Sequence, residues 1–373
     1  MFSFIFWYES EVKCNVNIYK ERYEKVKKIL EEKELDAILV SNGYNMRYLS
    51  GFSGATGYLY LSKSKQIILT DFRYTIQAEE EAKDYQVIEI SRKYSEHIRA
   101  LLEEEQGRTV GFEGKDLLYY DFAKWKEAMP NTKWVPLEDE LSNLRIIKTP
   151  DEIAAIEKAE AIGDKAFSDI LNVIRPGMTE LEIAAHLEFS MKKYGAENLS
   201  FDTIAASGIH SSMPHAIPTN KKIENGDFLT MDFGCVYEGY CSDMTRTIVV
   251  GKASAEQKKV YQTVLDAQLA ALEFIKAGYT GKEIDAVARK IIDEAGYKGC
   301  FGHGLGHSVG LFIHESPRLS SSEETIIQAN VTETVEPGIY IKGFGGVRIE
   351  DLVVVTEDGC RNLTHSEKQL IEL

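Results

Sequence analysis

What this 373-residue sequence lacks narrows its range of functions. The five cysteines (Cys14, Cys235, Cys241, Cys300 and Cys360) are an odd number with no Cys-x-x-Cys spacing, which argues against a disulfide framework and a thiolate zinc site. The net charge of −16 argues against nucleic acid or an anionic membrane as the partner. No apolar run approaches the roughly 20 residues that a membrane-spanning helix needs. We therefore expect a cytoplasmic protein.

Hydrophobic patterning predicts a short extension and two domains. Residues 1–17 form a poorly specified N-terminal extension, whose apolar start is too short to span a bilayer. Residues 18–144 alternate between helix and strand, which predicts an α/β layer domain. The strand-like runs are 37–40, 58–61, 67–70, 86–90 and 109–112, and the helical stretches lie at 19–30 and near 73–83, 94–105 and 117–128.

The second domain, residues 145–373, contains an internal repeat. A shift of 101 residues aligns Gly177 with Gly278 and Thr179 with Thr280. Thr-x-x-Glu capping boxes predict helix starts after Thr149, Thr179 and Thr280. The repeat predicts a pseudo-symmetric domain with two related α-β halves and a cleft between them. The predicted fold class is thus α+β with two domains.

Two predicted hairpins each carry a pair of acids. A pairing centre between Tyr237 and Glu238 would place Asp232 directly opposite Asp243, with their Cβ atoms about 4.5–5.5 Å apart. Glu336 and Glu350 are likewise related by a turn centred on Gly343. Since opposed carboxylates repel one another, two such pairs in one domain indicate that a cation binds between them.

Histidines cluster in a glycine-rich segment of the same domain. Three of the eight histidines, His303, His307 and His314, fall within twelve residues. The neighbouring glycines allow a sharp loop that can direct imidazoles into a cleft. His215 precedes the first predicted hairpin, and its sequence context does not distinguish a loop histidine from a member of the site.

These motifs resemble those of the pita-bread metallopeptidases, which include methionine aminopeptidase, prolidase and aminopeptidase P. The matching segments are Leu229–Gly234, Ser242–Thr247, His303–His307, Val335–Tyr340 and Arg348–Asp351. The front third resembles the creatinase-type N-terminal domain of the proline-specific branch. There, Tyr48–Gly54 and Leu69–Tyr74 look more like aminopeptidase P than prolidase.

The resemblance implies a site with two divalent metal ions. Its implied ligands are Asp232, Asp243, His307, Glu336 and Glu350, with His303 in an outer role. Ligand hardness favours Mn²⁺ or Co²⁺ and leaves Zn²⁺ and Fe²⁺ open. A metal-bridging hydroxide would attack the scissile carbonyl, and Glu336 would relay the proton. His215 and His314 would steady the tetrahedral intermediate, and Arg348 would hold acidic groups near Glu350.

The implied activity is that of an Xaa-Pro aminopeptidase, acting on peptides with proline in second position, in a homodimer. An Xaa-Pro dipeptidase is the alternative within the same class, although no basic residue could be assigned to a substrate carboxylate. A metal-free creatinase-like hydrolase and a non-catalytic peptide-binding module are alternatives of other classes. Metal content separates both of them from a metallopeptidase.

Overall fold

The computed structural model describes residues 17–91 and 93–373 and divides into two compact units, before and after the junction between Leu144 and Arg145. The predicted extension lies outside the described residues except for Asn17. The Asn17 side chain accepts a hydrogen bond from the Tyr19 backbone N–H and so caps the first helix.

The first unit is built around a six-stranded sheet in the order β4-β3-β2-β1-β5-β6. Its elements are α1 (Ile18–Glu32), β1 (Ala37–Val40), α2 (Gly43–Ser50), β2 (Tyr58–Ser62), β3 (Gln66–Thr70), α3 (Thr75–Glu81), β4 (Gln86–Glu89), α4 (Tyr94–Glu104), β5 (Thr109–Glu113), α5 (Tyr119–Ala128) and β6 (Lys133–Leu137). The central strand β1 is buried along its whole length, as a strand covered on both faces must be.

Every helix and strand predicted for this unit is present, but α2 and β6 were missed. Helix α2 starts at an Asn42 cap, whose side chain accepts hydrogen bonds from two backbone N–H groups of the first turn. Strand β6 contains Pro136, which argues against a strand in sequence alone. The sheet tolerates this proline because β6 is an edge strand, where one side of the backbone needs no partner.

The second unit holds the repeat. Its elements are α6 (Pro150–Leu171), α7 (Glu180–Lys193), β7 (Asn198–Leu199), β8 (Ile204–Ser207), β9 (Phe228–Phe233), β10 (Cys235–Tyr237), β11 (Tyr240–Cys241), β12 (Met244–Val249), α8 (Ala255–Phe274), α9 (Gly281–Ile292), β13 (Gly306–Ser308), β14 (Glu315–Leu319), β15 (Thr332–Val335), β16 (Gly338–Ile341), β17 (Gly345–Arg348), β18 (Asp351–Val355) and β19 (Cys360–Asn362).

The structure confirms the repeat in its hydrogen bonds. All three predicted capping boxes form, at Thr149, Thr179 and Thr280. Gly177 and Gly278 both have positive φ, 92° and 97°. Each glycine N–H also donates to an equivalent carbonyl, that of Ile223 in the first half and that of Ile327 in the second, at 2.9 Å in both. The two halves are therefore copies of one α-β unit.

Helices cover one face of the sheet in each half. In the first half, α6 and α7 pack on the sheet β12-β9-β8, around buried residues such as Phe167, Leu187 and Met231. In the second half, α8 and α9 pack on the sheet β14-β13-β15-β18-β19, around residues such as Val264 and Ile284. None of the helices in the described residues is long and apolar enough to cross a membrane.

One predicted register is wrong and the other is confirmed. Asp232 pairs with Thr245 rather than with Asp243, because the turn is centred between Glu238 and Gly239, one residue later than predicted. Both turn residues have positive φ, 49° and 83°, as a two-residue type I′ turn requires. In the second hairpin, Ile339 pairs with Val347 and Ile341 with Gly345, so the turn is centred on Gly343 as predicted.

Candidate metal centre

The structure brings the five predicted ligands into one cluster. Ligand oxygens of Asp232, Asp243 and Glu350 all lie within 4.8 Å of one another. His307 Nε2 lies 3.5 Å from Asp243 Oδ2 and 3.6 Å from Glu336 Oε1. Asp232 comes from β9 and His307 from β13, whereas the other three follow or precede strands. Both halves of the repeat therefore contribute to the cluster.

Burial sets the protonation of these groups. Burial, and then the Glu350 carboxylate, raises the pKa of Asp243 well above its usual value. Burial and the Glu336 carboxylate do the same for Glu350, and burial raises the pKa of Glu336 to about 8. Burial lowers the pKa of His307 to about 3. The carboxylates thus need a positive charge to ionise fully, while the imidazole is neutral at pH 7 with a lone pair to donate.

The side chains present fit divalent cations. Asp232 Oδ1 is buried and accepts no hydrogen bond from the described residues. Four carboxylates surround the centre, and among the residues of 17–91 and 93–373 a single guanidinium, that of Arg348, forms an ion pair with one of them. His307 Nδ1 lies 3.2 Å from the Ser308 carbonyl, so Nδ1–H donates there and Nε2 is left to bind an ion. An oxygen-rich set with one imidazole suits hard or borderline divalent ions.

Arg348 connects the acids to one another. Its Nη2 donates to Asp232 Oδ2 at 2.5 Å, and its Nη1 donates to the Tyr340 hydroxyl at 2.7 Å. Its Nε donates to Thr245 Oγ1 at 3.1 Å, and that hydroxyl in turn donates to Glu350 Oε2 at 2.6 Å. Arg348 therefore binds Asp232 directly and reaches Glu350 through Thr245, a residue that was not among the predicted site residues.

The remaining predicted site residues line the same cavity of about 830 Å³, which also includes the five ligands and Arg348. The ring of His314 lies 4.6 Å from that of His307, and burial, followed by the charge of Arg318, lowers the pKa of His314. His303 Nε2 lies 2.9 Å from the Tyr340 hydroxyl, at the edge of the Arg348 network. His215 lines the cavity from the loop before β9.

Sequence reasoning missed one cationic residue of the cavity, Arg318. It lies in β14 directly opposite His307 of β13, so the two side chains share one face of the sheet. Within the described part of the chain its guanidinium forms no ion pair, in contrast to that of Arg348. The available signal was proximity in sequence, because Arg318 follows His307 by 11 residues, a distance at which two successive antiparallel strands can pair.

Comparisons with known proteins find similar families and relatives over nearly the whole chain. The model of metallopeptidase family M24 matches residues 154–357, and that of the creatinase/prolidase N-terminal domain matches residues 22–147. An Xaa-Pro dipeptidase from Pyrococcus furiosus is 42% identical over 94% of this chain and 100% of its own length. The structure of an Xaa-Pro dipeptidase from Bacillus anthracis is 43% identical, with a TM-score of 0.93 over 95% of this chain and 100% of that one.

An X-Pro aminopeptidase from Thermotoga maritima is also similar, with 38% identity and a TM-score of 0.88 over 94% of this chain and 100% of that one. These matches confirm the predicted fold class, a creatinase-type N-terminal domain followed by a pita-bread domain. They also confirm the predicted resemblance to the proline-specific metallopeptidases.

Proposed function

Because this chain belongs to metallopeptidase family M24, we propose that it is an Xaa-Pro dipeptidase with two divalent metal ions. It would hydrolyse the bond between a first residue and a C-terminal proline. The relatives named as Xaa-Pro dipeptidases support this activity better than the aminopeptidase activity expected from the sequence motifs. Asp232, Asp243, His307, Glu336 and Glu350 would hold the ions.

The observation that carries the dipeptidase proposal is the position of Arg318. In an Xaa-Pro dipeptide, the free carboxylate lies one residue beyond the scissile carbonyl. Arg318 lies directly across the sheet from His307, lines the cavity, and forms no ion pair with the described residues. Its guanidinium can therefore donate two charge-assisted hydrogen bonds to the carboxylate in a bidentate arrangement. A longer peptide would bring a neutral amide to this position.

The chemistry divides between the ions and the side chains. When bound, the ions supply Lewis-acid polarisation of the carbonyl and a lowered pKa for water. Glu336 takes the proton of the attacking water and returns it to the proline nitrogen as the C–N bond breaks. His314, neutral because its pKa is lowered, donates a hydrogen bond to the developing oxyanion. The products are a free amino acid and proline.

An Xaa-Pro aminopeptidase is the second candidate. Two observations favour it: the N-terminal motifs Tyr48–Gly54 and Leu69–Tyr74, and the size of the cavity, about 830 Å³, which leaves room for a third residue. The complete set of metal-binding side chains argues against a metal-free creatinase-like hydrolase and against a binding module.

Hydrolysis by the reconstituted protein tests the proposal. An Xaa-Pro dipeptide and the matching Xaa-Pro-Xaa tripeptide would be compared with Mn²⁺, each with a chelator control. We expect chelator-sensitive cleavage with the higher kcat/KM on the dipeptide. Preference for the tripeptide would favour the aminopeptidase, and cleavage of neither substrate with Mn²⁺, Co²⁺, Zn²⁺ or Fe²⁺ would refute both.

A further inference from the structure

The chain after the last strand is linked to the backbone of two of the proposed ligands through buried side chains. We propose that residues 364–368, here called the C-terminal clasp, position the metal centre through two buried side chains, Arg246 and Glu160. The inference rests on the proposed function, because it takes Asp243 and Glu350 to be metal ligands. No residue of the clasp lines the cavity, so the clasp would act on the metal centre only through other residues.

Arg246 links the clasp to the backbone of Glu350. Its side chain is only 1% exposed, and Nη1 donates to the Glu350 carbonyl at 2.5 Å. The guanidinium uses all five of its N–H groups, with further acceptors at Thr245 O, Asp351 Oδ1, Ser366 O and Glu367 O. One rigid fork thus holds the carbonyl of a proposed ligand and two carbonyls of the clasp at fixed separations.

Glu160 makes the equivalent link to Asp243. This α6 residue is fully buried, and its Oε2 accepts the Asp243 backbone N–H at 3.2 Å. Its Oε1 accepts the Thr364 hydroxyl at 2.7 Å. One helical turn later, Asp164 accepts the backbone N–H groups of His365 and Ser366. The carboxylate that supports Asp243 is therefore oriented by the first residue of the clasp.

The far end of the clasp is held as well. Lys368 Nζ donates to Asp351 Oδ2 at 2.7 Å, and the Tyr261 hydroxyl donates to the Lys368 carbonyl at 2.9 Å. Asp351 also accepts from Arg246, so the clasp and the strand that follows Glu350 share one buried carboxylate. The clasp is thus fixed at both ends, and movement at either end would be passed to the ligand-bearing backbone.

Metal affinity is sensitive to such supports. Ligand side chains must be held within about 0.5 Å of the productive geometry. Loss of an outer partner typically costs roughly 10- to 100-fold in metal affinity or activity. A buried side chain that is bound to the clasp hydrogen-bonds to the backbone of each of these two proposed ligands, Glu160 to that of Asp243 and Arg246 to that of Glu350. Substitutions in these supports should therefore weaken metal binding while leaving every ligand in place.

The test is a Mn²⁺ titration of the metal-free full chain by calorimetry, with the d–d absorption of the Co²⁺ form as a second readout. In Arg246→Lys, which keeps the charge but loses the fork, we expect a dissociation constant roughly 10- to 100-fold higher and an altered Co²⁺ spectrum. Thr364→Val should act in the same direction, and Thr364→Ser, which keeps the hydroxyl, should restore wild-type binding. The control is Arg361→Lys, an exposed residue that pairs with Glu157.

Wild-type affinity and spectrum in the folded Arg246→Lys and Thr364→Val proteins, checked by circular dichroism, would overturn the inference. Equal weakening in Arg361→Lys or Thr364→Ser would overturn it too, because the effect would then not depend on the clasp contacts. If Arg246→Lys does not fold, the comparison of Thr364→Val with Thr364→Ser tests the inference, since valine and serine are both close to threonine in size. If the wild-type chain binds no divalent ion, that result would instead refute the proposed function.

Discussion

Replacing Arg318 with glutamine should separate substrates by their C-terminal charge. In the proposed complex, the guanidinium makes charge-assisted hydrogen bonds to the carboxylate of proline. A hydrogen bond to a charged group contributes about 1.5–3 kcal/mol, which corresponds to roughly a 10- to 150-fold loss in kcat/KM. Because the Arg318 side chain is exposed to the cavity, solvent screens the pair, and we expect a value near the lower end of this range.

The assay compares an Xaa-Pro dipeptide with its Xaa-Pro amide, which lacks the negative charge. Arg318→Gln should lose activity mainly on the free acid and little on the amide, and metal content should not change, because Arg318 is not among the proposed ligands. The matched control is Arg361→Gln, which removes an exposed arginine of the same unit. An equal loss on both substrates, or none on either, would refute the role of Arg318 and with it the main support for the dipeptidase proposal.

Three further predictions concern the metal centre. Asp243→Ala should abolish hydrolysis and weaken metal binding, and near-wild-type turnover in this variant would contradict the ligand assignment. His314→Ala should lower kcat with metal content unchanged, as measured by elemental analysis, and a metal-depleted variant would mean that His314 is a ligand. Folding raises the pKa of Glu336 from 4.5 to about 8, so the metal-free folded state binds more protons than the unfolded state. The Tm of the metal-free protein should therefore fall as pH rises from about 5 to 8, and that of the metal-loaded protein should not; a flat metal-free profile would contradict the pKa shift.

Most helices and strands could be predicted because the residues that specify them are close together in sequence. The capping boxes at Thr149, Thr179 and Thr280 each need only four consecutive residues, and all three form. Helix α2 was not predicted because its one sequence signal is the Asn42 cap, which no long periodic run of apolar residues follows. Strand β6 was not predicted because a proline such as Pro136 is acceptable only in an edge strand. Whether a strand lies at an edge depends on the order of all the strands in the sheet.

Of the two hairpin registers, one was predicted correctly and the other was not. The turn at Gly343 was predicted correctly, since a single glycine marks its centre. The turn at Glu238–Gly239 was placed one residue too early because Glu238, a non-glycine residue, also adopts positive φ. The predicted direct pairing of Asp232 with Asp243 was therefore wrong, yet their ligand oxygens still lie within 4.8 Å of one another.

The motifs placed the proposed ligands together but could not supply their surroundings. Arg318 and Tyr340 lie close in sequence to their partners, since Arg318 pairs with His307 and Tyr340 bonds to Arg348 within successive strands, so a register prediction could have found them. Thr245 contacts Arg348 between strands distant in sequence, for which no spacing rule exists. The same holds for Glu160, whose partner Thr364 lies 204 residues away. Such contacts follow from the tertiary fold rather than from any local pattern.

The most direct test of the account is a titration of the metal-free protein with Mn²⁺ while hydrolysis of an Xaa-Pro dipeptide is measured. The account predicts no hydrolysis before metal is added, and activity that rises to a plateau at two ions per chain. Hydrolysis that persists in excess chelator, or none at any metal concentration, would contradict it.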